Sequence, residues 1–415
     1  MVTVSVPDGV EVLTFGCRLN IVESEAMRSA ALAAGHRDLV VVNSCAVTAE
    51  AVRQARQAIR RAARHRPGAE VVVTGCASEV DARFAAMPEV SRVLPNAGKT
   101  APAAWARPGL PPGPAAASPA FGPAAGGRHT RGFVEIQNGC DHRCTFCIIP
   151  FGRGASRSIA PERIVAEIRA LVEGGAAEAV LTGVDLTSYE GPGGTRLGAL
   201  VKRILREVPD LARLRLSSID CIEADRDLLD VIADEPRFMP HLHLSLQSGD
   251  DLILKRMRRR HSRADAIAFC RQIRGLRPAL AFGADLIAGF PTETDHQAAG
   301  SLELVEDCGV SHLHVFPYSA RPGTAAARMP AVPGEVVKAR AAALRGAGQA
   351  ALARHLDRHV GTRVKVLAER GGRGRTEDFS AVRLGEGVAP GRIVEAAIAG
   401  HDGRELETVL ARKPS

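Results

Sequence analysis

Three of the nine cysteines, Cys140, Cys144 and Cys147, form C-x3-C-x2-C within Asn138-Gly139-Cys140-Asp141-His142-Arg143-Cys144-Thr145-Phe146-Cys147-Ile148-Ile149-Pro150. Three thiolates at this spacing can wrap one corner of a 4Fe-4S cube and leave the fourth iron without a protein ligand, open to a substrate. A closed structural zinc site would want a fourth Cys or His, and His142 sits inside the loop, awkwardly for that role. Cys17, Cys45 and Cys76 are distant in sequence but placed alike, each just past a short β-branched run: Phe15-Gly16-Cys17, Asn43-Ser44-Cys45 and Thr74-Gly75-Cys76. Strand ends of an open parallel sheet converge on the edge where ligands bind. The pattern therefore predicts a second three-cysteine cluster, with three small buried residues at strand ends as the plainer reading. Gly16 and Gly75 would let the backbone approach such a cluster closely. Cys221, Cys270 and Cys308 belong to neither set and read as packing residues, and an odd total of nine argues against a fully paired disulfide framework.

The elements that must position these cysteines follow from hydrophobic pattern. Val10 to Phe15, Leu39 to Asn43 and Glu70 to Thr74 alternate with Ala/Arg-rich helical stretches, which implies a small parallel sheet with helices on its faces. From 101 to 128, seven of 28 residues are Pro and none is acidic, the composition of an extended linker. Strands are then expected at Phe133 to Gln137, Ala179 to Val184, Arg213 to Ser217, His241 to Leu246, Ala281 to Ile287 and His312 to Phe316. Helical stretches such as Pro161 to Glu173 lie between them. Six βα units of this kind suggest a barrel or partial barrel with its site at the C-terminal strand ends. A helix from Val336 to about His359 precedes Val364 to Leu367 and Gly391 to Val394, short strands of a small all-β module.

Composition narrows the function classes. With 415 residues, two or three domains are expected, and with 24% charged and 46% hydrophobic residues the chain is globular. The net charge of +8 permits a polyanionic partner, and 48 of the 54 basic residues are Arg. Aromatics at 4% exclude a surface built on rows of stacking rings. The N-terminus does not read as a secretory signal and no run is long enough to span a membrane. A cytoplasmic protein is expected, where clustered cysteines mean metal or redox chemistry more often than crosslinks.

With both triplets in view, the chain resembles the methylthiotransferase family of radical S-adenosylmethionine (SAM) enzymes over essentially its whole length. Gly16-Cys17-Arg18-Leu19-Asn20 with Glu23-Ser24-Glu25, Gly139 to Cys144, His243 to Gly249 and Pro317 to Thr324 are most similar to the branch acting on threonylcarbamoyladenosine in tRNA. The resemblance implies an α/β protein in three parts. An N-terminal small parallel-sheet domain (1–100) and the linker (101–128) precede a central radical SAM (β/α)6 partial barrel (129–359) and a C-terminal small β-barrel of TRAM type (360–415). It further implies two 4Fe-4S clusters. The one at Cys140, Cys144 and Cys147 would bind SAM and cleave it reductively to a 5'-deoxyadenosyl radical, which takes hydrogen from C2 of the base. The one at Cys17, Cys45 and Cys76 would carry sulfur, methylated by a second SAM. An electron donor and a sulfur source are also required. SAM contacts are expected from Asp185, after Thr182-Gly183-Val184, and from Ser217, Ser218, Ser245, Gln247 and Asp285 at later strand ends, with Gly289-Phe290-Pro291 flanking the adenine.

Three Arg-rich stretches suit the anticodon stem-loop of a tRNA, because a guanidinium pairs with phosphate as a bidentate fork. Arg53, Arg56, Arg60 and Arg64 share one helix face. Lys255 to Arg263, with Arg256 and Arg259, carries six positive charges and no acid. Arg354 to Arg375, with Arg363 and Arg373, has seven basic and two acidic residues. The plainer reading of each is a solvated face. Rival functions are methylthiolation of isopentenyladenosine in tRNA or of a ribosomal-protein aspartate, and, without turnover, an iron-sulfur or zinc RNA-binding protein.

Overall fold

The computed structural model describes residues 2–4, 9–106 and 130–409. They divide into two compact units. The first holds the N-terminal segment together with Asn138–Arg157 and Ser319–Ala327; the second holds the stretch ending at Gln137, Ser158–Tyr318 and the chain from Arg328 onward.

In the first unit five strands lie in the order Val2–Val4, Val10–Thr14, Leu39–Ser44, Glu70–Gly75 and Arg92–Val93. The first pair is antiparallel and the others are parallel. All six residues of Leu39–Ser44 are buried, as the central strand of a sheet covered on both faces must be. Helix Ala49–His65 is capped by Thr48, whose hydroxyl accepts from the Ala51 amide at 3.1 Å. It buries Val52, Ala55, Ala58, Ile59 and Ala62, a stripe at helical spacing that turns its arginines outward. The first residues of the stretch read as linker are structured. Pro102–Trp105 forms a 3-10 turn whose Trp105 is fully buried and donates from Nε1 to the Lys99 carbonyl at 2.8 Å. Burying the one indole outweighs the local Pro and Ala content. Residues 107–128 lie outside the described residues.

The second unit is the expected (β/α)6 arrangement. Gly132–Glu135, Glu178–Thr182 and Arg213–Leu216 form one parallel sheet; Ser218–Ile219, His241–Gln247, Ala281–Ala288 and Val310–Pro317 form another. Arg213–Leu216 and Ser218–Ile219 are one strand interrupted at Ser217, so the strands number six. Helix Pro161–Glu173 begins with its proline in the first turn. Strand His241–Gln247 alternates over its first part, with Leu242 and Leu244 fully buried on one face and His241 and His243 on the other, until the register shifts between Leu244 and Gln247.

Helix Gly334–Asp357 leads into a closed five-stranded barrel formed by Arg363–Glu369, Arg373–Arg375, Ala381–Arg383, Leu406–Val409 and Ile393–His401. Gly391 and Arg392, read as the start of a strand, belong to the turn before Ile393. The loop Thr376–Phe379 of this module is fixed by the core strands. Arg215 donates to the carbonyls of Glu377 and Thr376 at 2.7 and 2.8 Å and pairs with the fully buried Glu178 at 2.9 Å. No helix among the described residues is long and apolar enough to cross a membrane.

Candidate functional site

Both cysteine triplets lie in the first unit. Cys17 caps the start of helix Arg18–Ala33, Cys45 follows strand Leu39–Ser44, and Cys76 opens the short helix Cys76–Val80. The parallel register carries these three ends to one edge, where Cys17 and Cys76 act on the Cys45 thiol and Cys17 on Cys76. Gly16 has φ +103°, and a Cβ there would lie 2.9 Å from Cys45 Sγ; Gly75 has φ +98°, and its Cβ would lie 2.4 Å from the Ser44 carbonyl. Only glycine brings the backbone this close. Burial pushes the Cys45 thiol up to about 12, with Cys17 and Cys76 adding to the rise, and burial also raises Cys76. Such thiols become thiolates when a metal's charge repays the loss of the proton.

The second triplet is shaped by backbone bonds. The Cys140 amide donates to Gly154 at 3.1 Å and closes the loop; the Cys147 amide donates to Cys144 at 3.1 Å. Gly139, at φ +73°, has its amide held by Asn138 Oδ1 at 2.8 Å, and a Cβ there would strike the Ala155 carbonyl. Cys140 is buried, Cys144 and Cys147 are half-buried, and Cys17 is exposed.

The spacing of the sulfurs tests which metal group these residues fit. A tetrahedral zinc with sulfur at about 2.3 Å sets its thiolates roughly 3.8 Å apart. Among the described residues, the sets of three or more His, Cys, Asp and Glu whose ligand atoms all lie within 4.8 Å of one another include neither triplet. His142 comes that close to Cys140, without Cys144 or Cys147 joining them. In each triplet at least one pair of sulfurs is therefore more than 4.8 Å apart, a spread that fits a polynuclear cluster better than a single ion.

Behind the first triplet lies a buried ionic network. Arg153 Nη1 and Nη2 donate to the Glu23 carboxylate at 2.7 and 3.1 Å, and Nη2 reaches Asn20 Oδ1 at 2.6 Å. Lys99 Nζ pairs with Glu23 at 2.7 Å and donates to Asn43 Oδ1 at 3.1 Å. Burial alone would raise Glu23, but Lys99 and Arg153 hold it down at about 2. Asn20 Oδ1 also lies 3.5 Å from Cys17 Sγ.

The first unit also has a basic cleft of about 770 Å³ lined by Arg53, Arg56, Arg60, Arg83 and Arg321, beside Ile148 and Asp81. Arg56 is ion-paired with Asp81, Arg53 donates to Glu50 at 2.8 Å, and Arg60 stands 4.0 Å from Glu89. Arg64 is exposed on the same helix but does not line the cleft. Arg321, which charge runs in the sequence do not mark, is 8% exposed, and its Nε has no hydrogen-bond partner.

In the second unit the candidate SAM residues lie on neighbouring strand ends, with Ser218 opposite His243, Gln247 opposite Leu286, and Asp285 opposite His314. Ser218 and Ser245 are half-buried; Ser217 is buried with an unpartnered hydroxyl. Gln247 sits at a register shift with φ +69°, a region that residues other than glycine seldom enter. Asp185 accepts from Ser188 Oγ at 2.8 Å. Its turn is clamped by Gln137 Oε1, which accepts from the Val184 and Asp185 amides at 3.0 and 2.9 Å, a role with no signal in the sequence. Asp285 is engaged by His243 at 2.8 Å and His314 at 3.3 Å. Burial would raise it, but these two imidazoles hold it at about 2. Gly283 leaves His243 its room, since a Cβ there would lie 2.5 Å from Nδ1.

Phe290 is fully buried and packs edge-on against Tyr318. In the charge run from Lys255 to Arg263, Lys255, Arg258 and Arg260 are exposed, while Arg259, side chain 9% exposed, binds Asp220 at 2.9 Å and the Ser245 carbonyl at 2.7 Å, and Arg256 binds Thr292 Oγ1 at 2.7 Å. Arg363 and Arg373 are exposed on the C-terminal barrel, Arg373 lying 3.5 Å from Glu405. Cys221, Cys270 and Cys308 are buried.

Comparison with known proteins agrees with this layout. Residues 134–305 match the model of the Radical SAM superfamily, and residues 9–94 match "Uncharacterized protein family UPF0004". The threonylcarbamoyladenosine tRNA methylthiotransferase MtaB of Rickettsia prowazekii is 43% identical over 96% of this chain and 97% of its own. MtaB of Aquifex aeolicus is 31% identical over 93% and 98%. A tRNA-2-methylthio-N(6)-dimethylallyladenosine synthase of a Jannaschia species is 33% identical over 94% and 91%. Among solved structures, the radical SAM methyltransferase TsrM of Kitasatospora setae, with cobalamin and a 4Fe-4S cluster bound, superposes with a TM-score of 0.50 at 17% identity, covering 73% of this chain and 68% of that one, which speaks to fold alone. Radical SAM enzymes use SAM and a 4Fe-4S cluster. With relatives of this name aligned along nearly its full length, the chain belongs to the methylthiotransferase family of radical SAM enzymes.

Proposed function

We propose that this protein inserts a methylthio group at C2 of N6-threonylcarbamoyladenosine at position 37 of tRNA, using two 4Fe-4S clusters, SAM, an electron donor and a sulfur source. The Rickettsia relative named for threonylcarbamoyladenosine is 43% identical, against 33% for relatives named for dimethylallyladenosine, which favours the former substrate. The observation that carries the reading is that six cysteines in two triplets share one compact unit. The short helix Ile149–Arg153 behind Cys147 packs on Cys76 so closely that a Cβ at Gly152 would lie 3.1 Å from that of Cys76.

When bound, the clusters and SAM supply the one-electron and sulfur chemistry that an aromatic C-H demands, since such a C-H has no acidic proton at neutral pH. The protein's own residues bind and orient. Cys140, Cys144 and Cys147 would hold the cluster that meets SAM, and Cys17, Cys45 and Cys76 the cluster that carries sulfur. Asp185, Ser218, Ser245 and Gln247 offer polar groups to SAM. The backbone strain at Gln247, worth about 1–3 kcal/mol, suits a contact fixed before the ligand arrives. Asp285 acts one step back by orienting His243 and His314. Arg53, Arg60 and Arg321 would receive phosphates along the cleft, and Arg363 and Arg373 would do so on the C-terminal barrel.

Anaerobic reconstitution tests this reading. About eight irons per chain, release of 5'-deoxyadenosine from SAM and a methylthio group on the base support it. Zinc in place of iron, or iron without SAM cleavage, overturns it.

A further inference from the structure

The network behind Cys17, Cys45 and Cys76 holds two cations, Arg153 and Lys99, against one carboxylate, Glu23. Arg153 is 5% exposed, Lys99 2% and Glu23 3%. Its remaining partners, Asn20, Asn43 and Asn138, are neutral. Arg153 Nε is buried without a hydrogen-bond partner. A guanidinium does not give up its proton to escape burial. An uncompensated buried charge is costly, and a protein keeps one where an opposite charge is to be met.

Among the described residues, the thiols of the first triplet are neighbours able to supply that charge. Asn20 Oδ1, which takes the 2.6 Å bond from Arg153, lies 3.5 Å from Cys17 Sγ, and Arg153 and Lys99 both act on Cys76. Three thiolates around a 4Fe-4S core of charge +2 carry about one net negative charge. The excess positive charge of the network is opposite to it in sign and equal in size. Arg153 also ends the helix that follows Cys147, so the loop of the second triplet delivers the charge that the first triplet needs.

We propose that Arg153, with Lys99 and Glu23, is a positioning and charge-compensating element for the cluster at Cys17, Cys45 and Cys76, setting its reduction potential from outside the ligand sphere. This rests on the two-cluster reading. Removing the positive charge disfavours the more negative, reduced cluster and lowers the potential. Removing the negative charge of Glu23 raises it.

The test uses the full chain with Cys140, Cys144 and Cys147 all changed to Ala, so that iron at the first triplet is seen alone. Potentiometric titration followed by electron paramagnetic resonance is run on this protein and on the same protein carrying Arg153→Met, Arg153→Lys or Glu23→Gln. The expected results are a lower midpoint or loss of about four irons for Arg153→Met, near-parental behaviour for Arg153→Lys, and a higher midpoint for Glu23→Gln. A purely structural role would disturb Met and Gln variants in the same direction. Unchanged midpoints, or shifts of the same sign, overturn the proposal; where Arg153→Met fails to fold, an unchanged or lower midpoint for Glu23→Gln overturns it. A triple-alanine parent that binds no iron overturns the three-cysteine cluster itself, and this inference with it, and so marks a different failure.

Discussion

Gly16 leaves room for Cys45: a Cβ on the glycine would fall 2.9 Å from the cysteine sulfur. The contact joins the ends of two neighbouring parallel strands and leaves no slack at the edge where Cys17 and Cys76 also lie.

Replacing Gly16 with Ala should therefore displace Cys45 and empty the first site. At φ +103° the new side chain is also strained whatever the space. Iron should fall from about eight to about four per chain, while SAM cleavage at the second site persists. Iron analysis beside a 5'-deoxyadenosine assay checks both halves.

The cleft arginines make a second prediction. Arg56 is poorly suited to reversal, because a Glu there would face Asp81. Arg53→Gln with Arg60→Gln leaves that pair intact and should weaken tRNA binding roughly five- to tenfold at 0.1 M salt, with the log-log salt slope shallower by about two. Binding measured from low to high salt decides; an unchanged slope removes these residues from the interface.

Asp285 links the barrel to pH. Its folded carboxyl sits at about 2 against an ordinary 3.8, so folding favours the charged form. The stabilisation is complete above about pH 4 and is lost as pH falls through 2; the sign follows because the unfolded state binds the proton more readily. Asp285→Asn should cost about 2 kcal/mol at pH 7, with the gap to the parent closing below pH 4. Thermal unfolding of both apoproteins across pH 2–7 reads this directly.

The sequence was legible where a pattern repeats. Three strands of equal design, each followed by a cysteine, announce a shared edge. It was illegible where meaning lies in a partner far along the chain. Arg153, Glu23 and Lys99 come from three separate segments, and none stands in a charge run. Arg259 stands in one, yet its charge is spent on Asp220, because counting charges does not count partners. Trp105 shows the same limit: its burial is decided by a pocket on the sheet, not by the Pro and Ala around it.

The central claim is the transfer itself. Reconstituted protein, SAM, a reductant, a sulfide source and tRNA bearing threonylcarbamoyladenosine should yield, after digestion and mass spectrometry, a nucleoside carrying a methylthio group in place of the C2 hydrogen, with none formed by a Cys144→Ala variant. Threonylcarbamoyladenosine recovered unchanged while 5'-deoxyadenosine accumulates would contradict the assigned substrate, and neither product forming would contradict the enzyme.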